Sequence, residues 1–338
     1  MMPLTSLIGI EYLDDNLILT TADGSNQFKV SSTEVQLGIT EKQPNFYTIV
    51  NADTFSKLVG KTTKEFIKLE NKENYLEVVG NGSYKLEIAI NEEGEMVRFP
   101  EIQNIDVEPF TISTQLLQEA INTAKASVAK TMEVPYLTGY YISDKTISTD
   151  RQLVFQSNVG LSKEPLLISS EMAELLLLVD SGDINVLHKD NNLIFFNQSF
   201  KIAGKELEGK ETYPVSQISN LIDSSYENTV KVNKQELLNV LDRMSLFVTE
   251  YDKNGIFLNF TSNQLCIKSQ KSNAIESINY IDNKLANIFE CLVDIEMLKS
   301  QVETISTDIV EMYYGQEKSI KILDGNCVHI ISLLDKEN

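Results

Sequence analysis

Val230-Lys231-Val232-Asn233-Lys234-Gln235-Glu236-Leu237 holds the pattern that decides the fold. Two apolar residues alternate with polar ones, as in a half-buried strand, and then Asn233 offers a side-chain acceptor to the orphan amides of a first helical turn. Leu237, Leu238 and Leu241 follow at helical spacing. Asn233 and Glu236 also stand at capping-box spacing.

The same strand–cap–helix pattern occurs four more times. Tyr47-Thr48-Ile49-Val50-Asn51 leads into Phe55, Leu58 and Val59; Phe110-Thr111-Ile112-Ser113 leads into Leu116, Leu117, Ala120, Ile121 and Ala124. Leu166-Leu167-Ile168-Ser169 precedes Met172, and Cys291-Leu292-Val293-Asp294 precedes Ile295, Leu298, Val302 and Ile305. The five caps are separated by 62, 56, 64 and 61 residues. A repeat of that length carrying one helix does not fit the common solenoids. Between the helices the text alternates with period two (Tyr84, Leu86, Ile88, Ile90; Leu265, Ile267). Turn signals at Asn81-Gly82, Ser181-Gly182-Asp183, Asn254-Gly255 and Asp324-Gly325 punctuate it. Each unit is therefore one helix followed by short antiparallel strands, an α+β class. Two units make a domain, which sets three domains at 1–108, 109–226 and 227–338. Six units need six helices and only five are written. The first stretch, 4–30, reads as strands alone, so the first domain is N-terminally incomplete.

Composition narrows the function. Of the 338 residues, 42% are apolar, enough for a core in each domain. The densest apolar stretch, Met172 to Val179, is too short to span a bilayer, and Met1-Met2-Pro3 lacks a basic leader, so a cytoplasmic protein without membrane contact is expected. Cys266, Cys291 and Cys327 have no metal-like spacing and read as reduced thiols. His188 and His329 are the only histidines, and no HExxH, GxSxG or P-loop is present. No catalytic residue, metal or cofactor is nominated, and an enzyme is not expected. The net charge of −20 excludes the usual basic nucleic-acid footprint.

The repeat, its order and several short segments resemble the bacterial DNA sliding clamp, the beta subunit of DNA polymerase III. Tyr136-Leu137-Thr138-Gly139 and Ile147-Ser148-Thr149-Asp150-Arg151 are similar to the family's Leu-Asn-Gly and Ala-Thr-Asp segments. Lys205-Glu206-Leu207-Glu208-Gly209-Lys210 with Tyr213-Pro214 is similar to its Leu-x-Gly-x-Phe-Pro. Asp242-Arg243-Met244-Ser245-Leu246 and Arg98-Phe99-Pro100-Glu101-Ile102 resemble the third domain's Arg-containing helix and the end of the first domain. The resemblance runs over nearly the whole chain, with three departures. The family's opening strand and helix are lacking, its Thr-Asp-Gly-His-Arg-Leu is shortened to Thr149-Asp150-Arg151-Gln152-Leu153, and its terminal Met-Pro is replaced by His329-Ile330-Ile331-Ser332-Leu333-Leu334 and a polar tail.

The resemblance implies a head-to-tail homodimeric ring. Its helices line a hole around double-stranded DNA, and it tethers a replicative DNA polymerase as a processivity factor after loading by a clamp loader. It implies a client-peptide pocket at Leu137, Thr149, Leu153, Pro214, Ile218, Ile331 and Leu333, between domains two and three. DNA-facing residues would be Lys57, Lys61, Lys64, Lys125, Lys130, Tyr136, Lys234, Arg243 and Lys299, and the dimer interface Phe99, Ile102, Leu246 and Phe247. Topological trapping is compatible with an acidic chain, because tight phosphate contacts would hinder sliding. The five helical segments together carry −2 over 73 residues, milder than the chain as a whole but not basic. The non-enzyme rival is a scaffold of the same repeats that does not encircle DNA.

Overall fold

The computed structural model describes residues 3–14, 16–32, 45–131, 133–180, 182–271, 273–284, 287–315 and 318–335. Met1, Met2, Ser181 and the end of the polar tail, all of which figure in the sequence expectations, lie outside these residues.

In chain order, β1 (Leu7–Leu13), β2 (Asn16–Ala22) and β3 (Gln27–Ser32) form a meander. β4 (Phe46–Asn51) runs into α1 (Ala52–Gly60), and β5 (Lys68–Asn71), β6 (Tyr75–Val79) and β7 (Ser83–Glu87) follow. The next two units are β8 (Phe110–Ser113), α2 (Thr114–Ala124), β9 (Gly139–Ile142), β10 (Thr146–Thr149) and β11 (Leu153–Ser157), then β12 (Leu166–Ser169), α3 (Ser170–Leu177), β13 (Asp183–Lys189), β14 (Asn192–Phe196) and β15 (Phe200–Lys205). A short helix α4 (Val215–Ile222), not anticipated from the sequence, precedes the last pair. Those are β16 (Asn228–Asn233), α5 (Lys234–Met244), β17 (Gly255–Phe260), β18 (Gln264–Ser269), β19 (Ile275–Asn279) and the short β20 (Asp282–Lys284); then β21 (Phe289–Asp294), α6 (Ile295–Thr304), β22 (Ile309–Tyr314), β23 (Ser319–Asp324) and β24 (Cys327–Ser332).

The caps behave as their chemistry requires. The side chains of Asn51, Asn233 and Asp294 accept from backbone amides of α1, α5 and α6, and Ser169 Oγ accepts from Met172 N at 3.2 Å. Each satisfies donors that the first helical turn leaves unpaired.

All sheets are antiparallel and follow one rule. The strand before a helix joins three hairpin strands, giving the half-sheets β4-β1-β2-β3, β8-β13-β14-β15, β12-β9-β10-β11, β16-β22-β23-β24 and β21-β17-β18-β19. Twice, the outermost strands of two half-sheets pair with each other. β3 pairs with β15 to make an eight-stranded sheet, and β11 pairs with β24 to make a nine-stranded one that β20 extends beyond β16. The sheets β19-β18-β17-β21 and β5-β6-β7 remain as separate half-sheets.

The chain groups into two compact units. One comprises residues 1–114 and 174–206, the other 115–173 and 207–338. The repeat arithmetic divides the chain by sequence period, whereas contacts group it by the two fused sheets. Within the second unit, α5 and α6 pack together over an apolar core in which Leu237, Leu241, Leu298 and Val302 are fully buried. Within the first unit, α1 packs on β1 and β4, and Phe55 is its buried anchor. Among the described residues, no helix is long and apolar enough to cross a membrane.

Candidate functional site

In the second unit a cleft of about 290 Å³ is lined by Tyr136, Leu137, Thr149, Arg151, Val154, Pro214, Gln217, Ile218 and Leu221. Three local structures build it. A 3-10 turn over Pro135–Thr138 brings Tyr136 and Leu137 to one side. The β10–β11 turn contributes Thr149 and Arg151. Helix α4, entered through Pro214, supplies Gln217, Ile218 and Leu221 at helical spacing.

Aromatic rings pack behind the lining residue Tyr136. Tyr213 is buried, stacks on Tyr141 with ring centroids 5.2 Å apart, and meets Tyr136 edge-on at 6.2 Å. Its hydroxyl donates to Ile147 O at 3.4 Å, and burial drives its pKa well above the ordinary tyrosine value. Gly209, at φ +96°, sits where an added Cβ would come within 2.7 Å of Tyr136 Cδ1, so the Glu208-Gly209-Lys210 loop closes on the ring only with glycine. Lys321 fixes the far end of α4. Its ammonium donates to Ile222 O at 3.2 Å and lies 4.7 Å from the centre of the Tyr226 ring. Burial lowers its pKa.

The β10–β11 turn is held by side chains. Thr149 Oγ1 donates to Leu153 O at 2.7 Å and accepts from Arg151 N at 3.0 Å. Asp150 Oδ1 accepts from Gln152 N at 2.9 Å and Leu153 N at 2.6 Å. Arg151 adopts φ +82°, unusual for a bulky residue.

Of the seven residues expected in the pocket, Leu137, Thr149, Pro214 and Ile218 line this cleft. The structure sends the other three elsewhere. In the β11–β24 pairing Leu153 faces Ile331 and Val154 faces Ile330, and successive side chains point to opposite faces of a sheet. Val154 and Ile330 join the cleft's cluster. Leu153 and Ile331 are buried in the α5–α6 core, with Leu333 packed against it. Tyr136, expected to face DNA, lines the cleft. Arg151, Val154, Gln217 and Leu221 were not anticipated there.

The expected DNA-facing cations separate into two groups. Lys57 pairs with Asp53 at 2.8 Å, Lys299 with Asp242 at 2.7 Å, and Arg243 holds Glu276 through two hydrogen bonds of 2.9 and 2.6 Å. That guanidinium keeps the Glu276 carboxyl below its ordinary pKa. Lys234 Nζ donates to Glu303 O and Ile305 O at the C-terminal end of α6, where a cation is favoured. Lys61, Lys64, Lys125 and Lys130 are exposed and have no ion pair among the described residues.

Leu246 (79% exposed) and Phe247 (45%) stand in the turn after α5, and Ile275 (57%) lies on the neighbouring edge strand β19. Phe99 behaves differently. It is half-buried and closes over Gly9 of β1, where an added Cβ would meet the ring at 3.2 Å. Ile102 is half-buried as well. Exposed apolar residues in that part of the chain include Ile90 (57%), just beyond β7, and Tyr84 (40%) on β7 itself.

No protein-family model matches the chain, and no curated protein matches it. Solved structures do match it in fold. The DNA polymerase III subunit beta of Borrelia burgdorferi, solved with a natural product, superimposes with a TM-score of 0.86 at 18% identity, covering 100% of this chain and 93% of that one. The beta chain from Streptococcus pneumoniae gives 0.84 at 16% identity over 99% and 93%. The beta subunit from Thermotoga maritima gives 0.84 at 14% identity over 100% and 93%. From β1 to β24 the chain has the fold of the DNA polymerase III beta sliding clamp.

Proposed function

We propose that the chain is a non-enzymatic DNA sliding clamp, which closes head-to-tail with a second copy around duplex DNA and tethers a polymerase to it. The observation that carries this reading is the strand rule. Twice within the chain the outermost strands of two half-sheets pair, β3 with β15 and β11 with β24. Among the described strands two counterparts are left over, β19 at one end of the repeat series and β7 at the other. Open edges of this kind are templates for pairing with another chain. Applying the rule a third time pairs β19 of one copy with β7 of the next, and two such seams close a symmetric ring of six domains in the 1–108, 109–226, 227–338 division. Leu246, Phe247, Ile275 and Ile90 flank the two edges with exposed apolar surface. Burying the exposed parts of Leu246 and Phe247 alone contributes about 2–4 kcal/mol per seam.

A ring explains how a chain of charge −20 holds DNA: the duplex is enclosed rather than gripped. Lys61, Lys64, Lys125 and Lys130, exposed and without an ion pair among the described residues, are the cations available to the phosphates, while Lys57, Lys234, Arg243 and Lys299 serve structural contacts. The cleft of Leu137, Pro214 and Ile218 is read as the client site, sized for a pair of apolar side chains from a polymerase or loader peptide. A scaffold built from the same repeats shares every sheet contact but would not retain DNA.

The test uses loaded protein on nicked circular DNA. Enclosure predicts retention in high salt and release when the circle is cut. Loss with rising salt from circle and linear DNA alike marks ordinary phosphate contacts and overturns the reading.

A further inference from the structure

The cleft carries a single charged lining residue, and its backbone is strained. Arg151 holds φ +82° because Thr149 and Asp150 commit three successive amides, of Arg151, Gln152 and Leu153, to side-chain oxygens. A bulky residue is disfavoured in this region and persists where the surroundings over-determine it. The turn thereby sets an exposed guanidinium on the rim of an otherwise uncharged cleft. Among the described residues Arg151 has no ion-pair partner, whereas Arg243, the other arginine on this unit, holds Glu276 through two hydrogen bonds.

We propose that Arg151 is a specificity residue: among peptides whose apolar side chains enter the cleft, it selects those bearing an Asp or Glu side chain beside the apolar anchor. This rests on the cleft being the client site. Capture of a peptide's C-terminal carboxylate instead would call for free backbone amides gathered in a nest. The amides of this turn are already taken, so the guanidinium is the available donor, and its fork matches a carboxylate in a two-hydrogen-bond geometry.

The experiment measures binding of labelled, N-acetylated hexapeptides with Leu and Phe anchors. Each position flanking the anchors is either Asp or Asn, and the C-terminus is either free acid or amide. Wild type is expected to prefer Asp over Asn at one flanking position by about fivefold, the scale of an exposed to half-exposed ion pair, with the preference falling as salt rises. In Arg151→Gly the Asp-to-Asn ratio falls to about one, and the thermal midpoint does not drop, since glycine relaxes the φ of that turn. Equal affinities for Asp and Asn peptides in wild type overturn the selection while leaving the client cleft intact. A free-acid-over-amide preference larger than any Asp-over-Asn preference overturns it in favour of terminal capture. Failure of every peptide to bind, or binding that survives Ile218→Glu, overturns the cleft reading itself.

Discussion

Helices α1 and α5 begin alike, each capped by an asparagine that accepts from the third residue of its first turn, and they end differently. α5 lies against α6, and Leu237, Val240, Leu241 and Met244 are all buried. α1 has no helix packed beside it among the described residues of its unit, and only Phe55 is fully buried while Leu58 and Val59 stay half-exposed. The same local code therefore yields a closed core where a second helix covers the sheet, and a thinner one where none does. Capping and period specify the helix; its partner decides how much the helix contributes to stability.

The two regions also end in the same kind of feature, a strand edge without a partner among the described residues, and the largest expected effect is there. Leu246→Ala with Phe247→Ala removes surface that is exposed in one copy, so it leaves the fold in place. It should convert a mass near twice 38.1 kDa to the single-chain mass in light scattering at micromolar concentration. An unchanged mass would break the parallel between the two edges.

Leu241→Ala, in the covered core, should cost about 2–5 kcal/mol by denaturant unfolding, whereas half-exposed Leu58→Ala on α1 should cost less than about 1.5 kcal/mol. Equal losses would mean that α1 is as well covered as α5.

A buried polar network sharpens the contrast further. In the second unit His329 Nδ1 donates to Gln301 Oε1 at 2.8 Å, and Gln301 Nε2 donates to Ser127 Oγ at 3.1 Å, tying α6 to β24 and to the turn after α2. The His329 ring is fully buried against Phe155, and burial lowers its pKa from 6.5 to about 4, with Asp324 opposing. Unfolded His329 takes a proton near pH 6.5 and the folded one only near pH 4. Unfolding therefore binds a proton in that window, and stability falls as pH drops through it. The loss reaches roughly 3 kcal/mol by pH 4. His329→Gln should flatten the slope of stability against pH over that window, and an unchanged slope would assign the dependence to other groups.

Gly209→Ala is the smallest of the four. A Cβ at φ +96° against Tyr136 should cost about 1–2 kcal/mol and weaken peptide binding at the cleft more than it shifts the thermal midpoint. The α1 region, remote in sequence, should show no change in hydrogen exchange.

The repeat and its caps were legible because they depend on neighbours in sequence, as Asn51, Asn233 and Asp294 show. The cleft was legible in part. Leu137 and Pro214 carry local turn chemistry, but Leu153 and Val154 differ in which face of the sheet they meet, and that is set by pairing with Ile331 and Ile330 far along the chain. Helix α4 was missed because eight residues after Tyr213-Pro214 give too short a period to stand out, although Ile218, Leu221 and Ile222 carry the spacing. The engagement of Arg243 by Glu276 and of Lys234 by the end of α6 likewise depends on tertiary neighbours that no spacing reveals.

The central claim, that β7 of one copy joins β19 of another around DNA, is tested most directly by covalent closure. Lys85→Cys on β7 and Ser277→Cys on β19, in a chain whose Cys266, Cys291 and Cys327 are serine, are loaded on nicked circular DNA and joined with a short thiol cross-linker. The account predicts a circular protein dimer that remains with the DNA circle through denaturing detergent and leaves once the circle is cut. Cross-linked protein stripped from an intact circle by detergent, or no cross-link between copies, would contradict it.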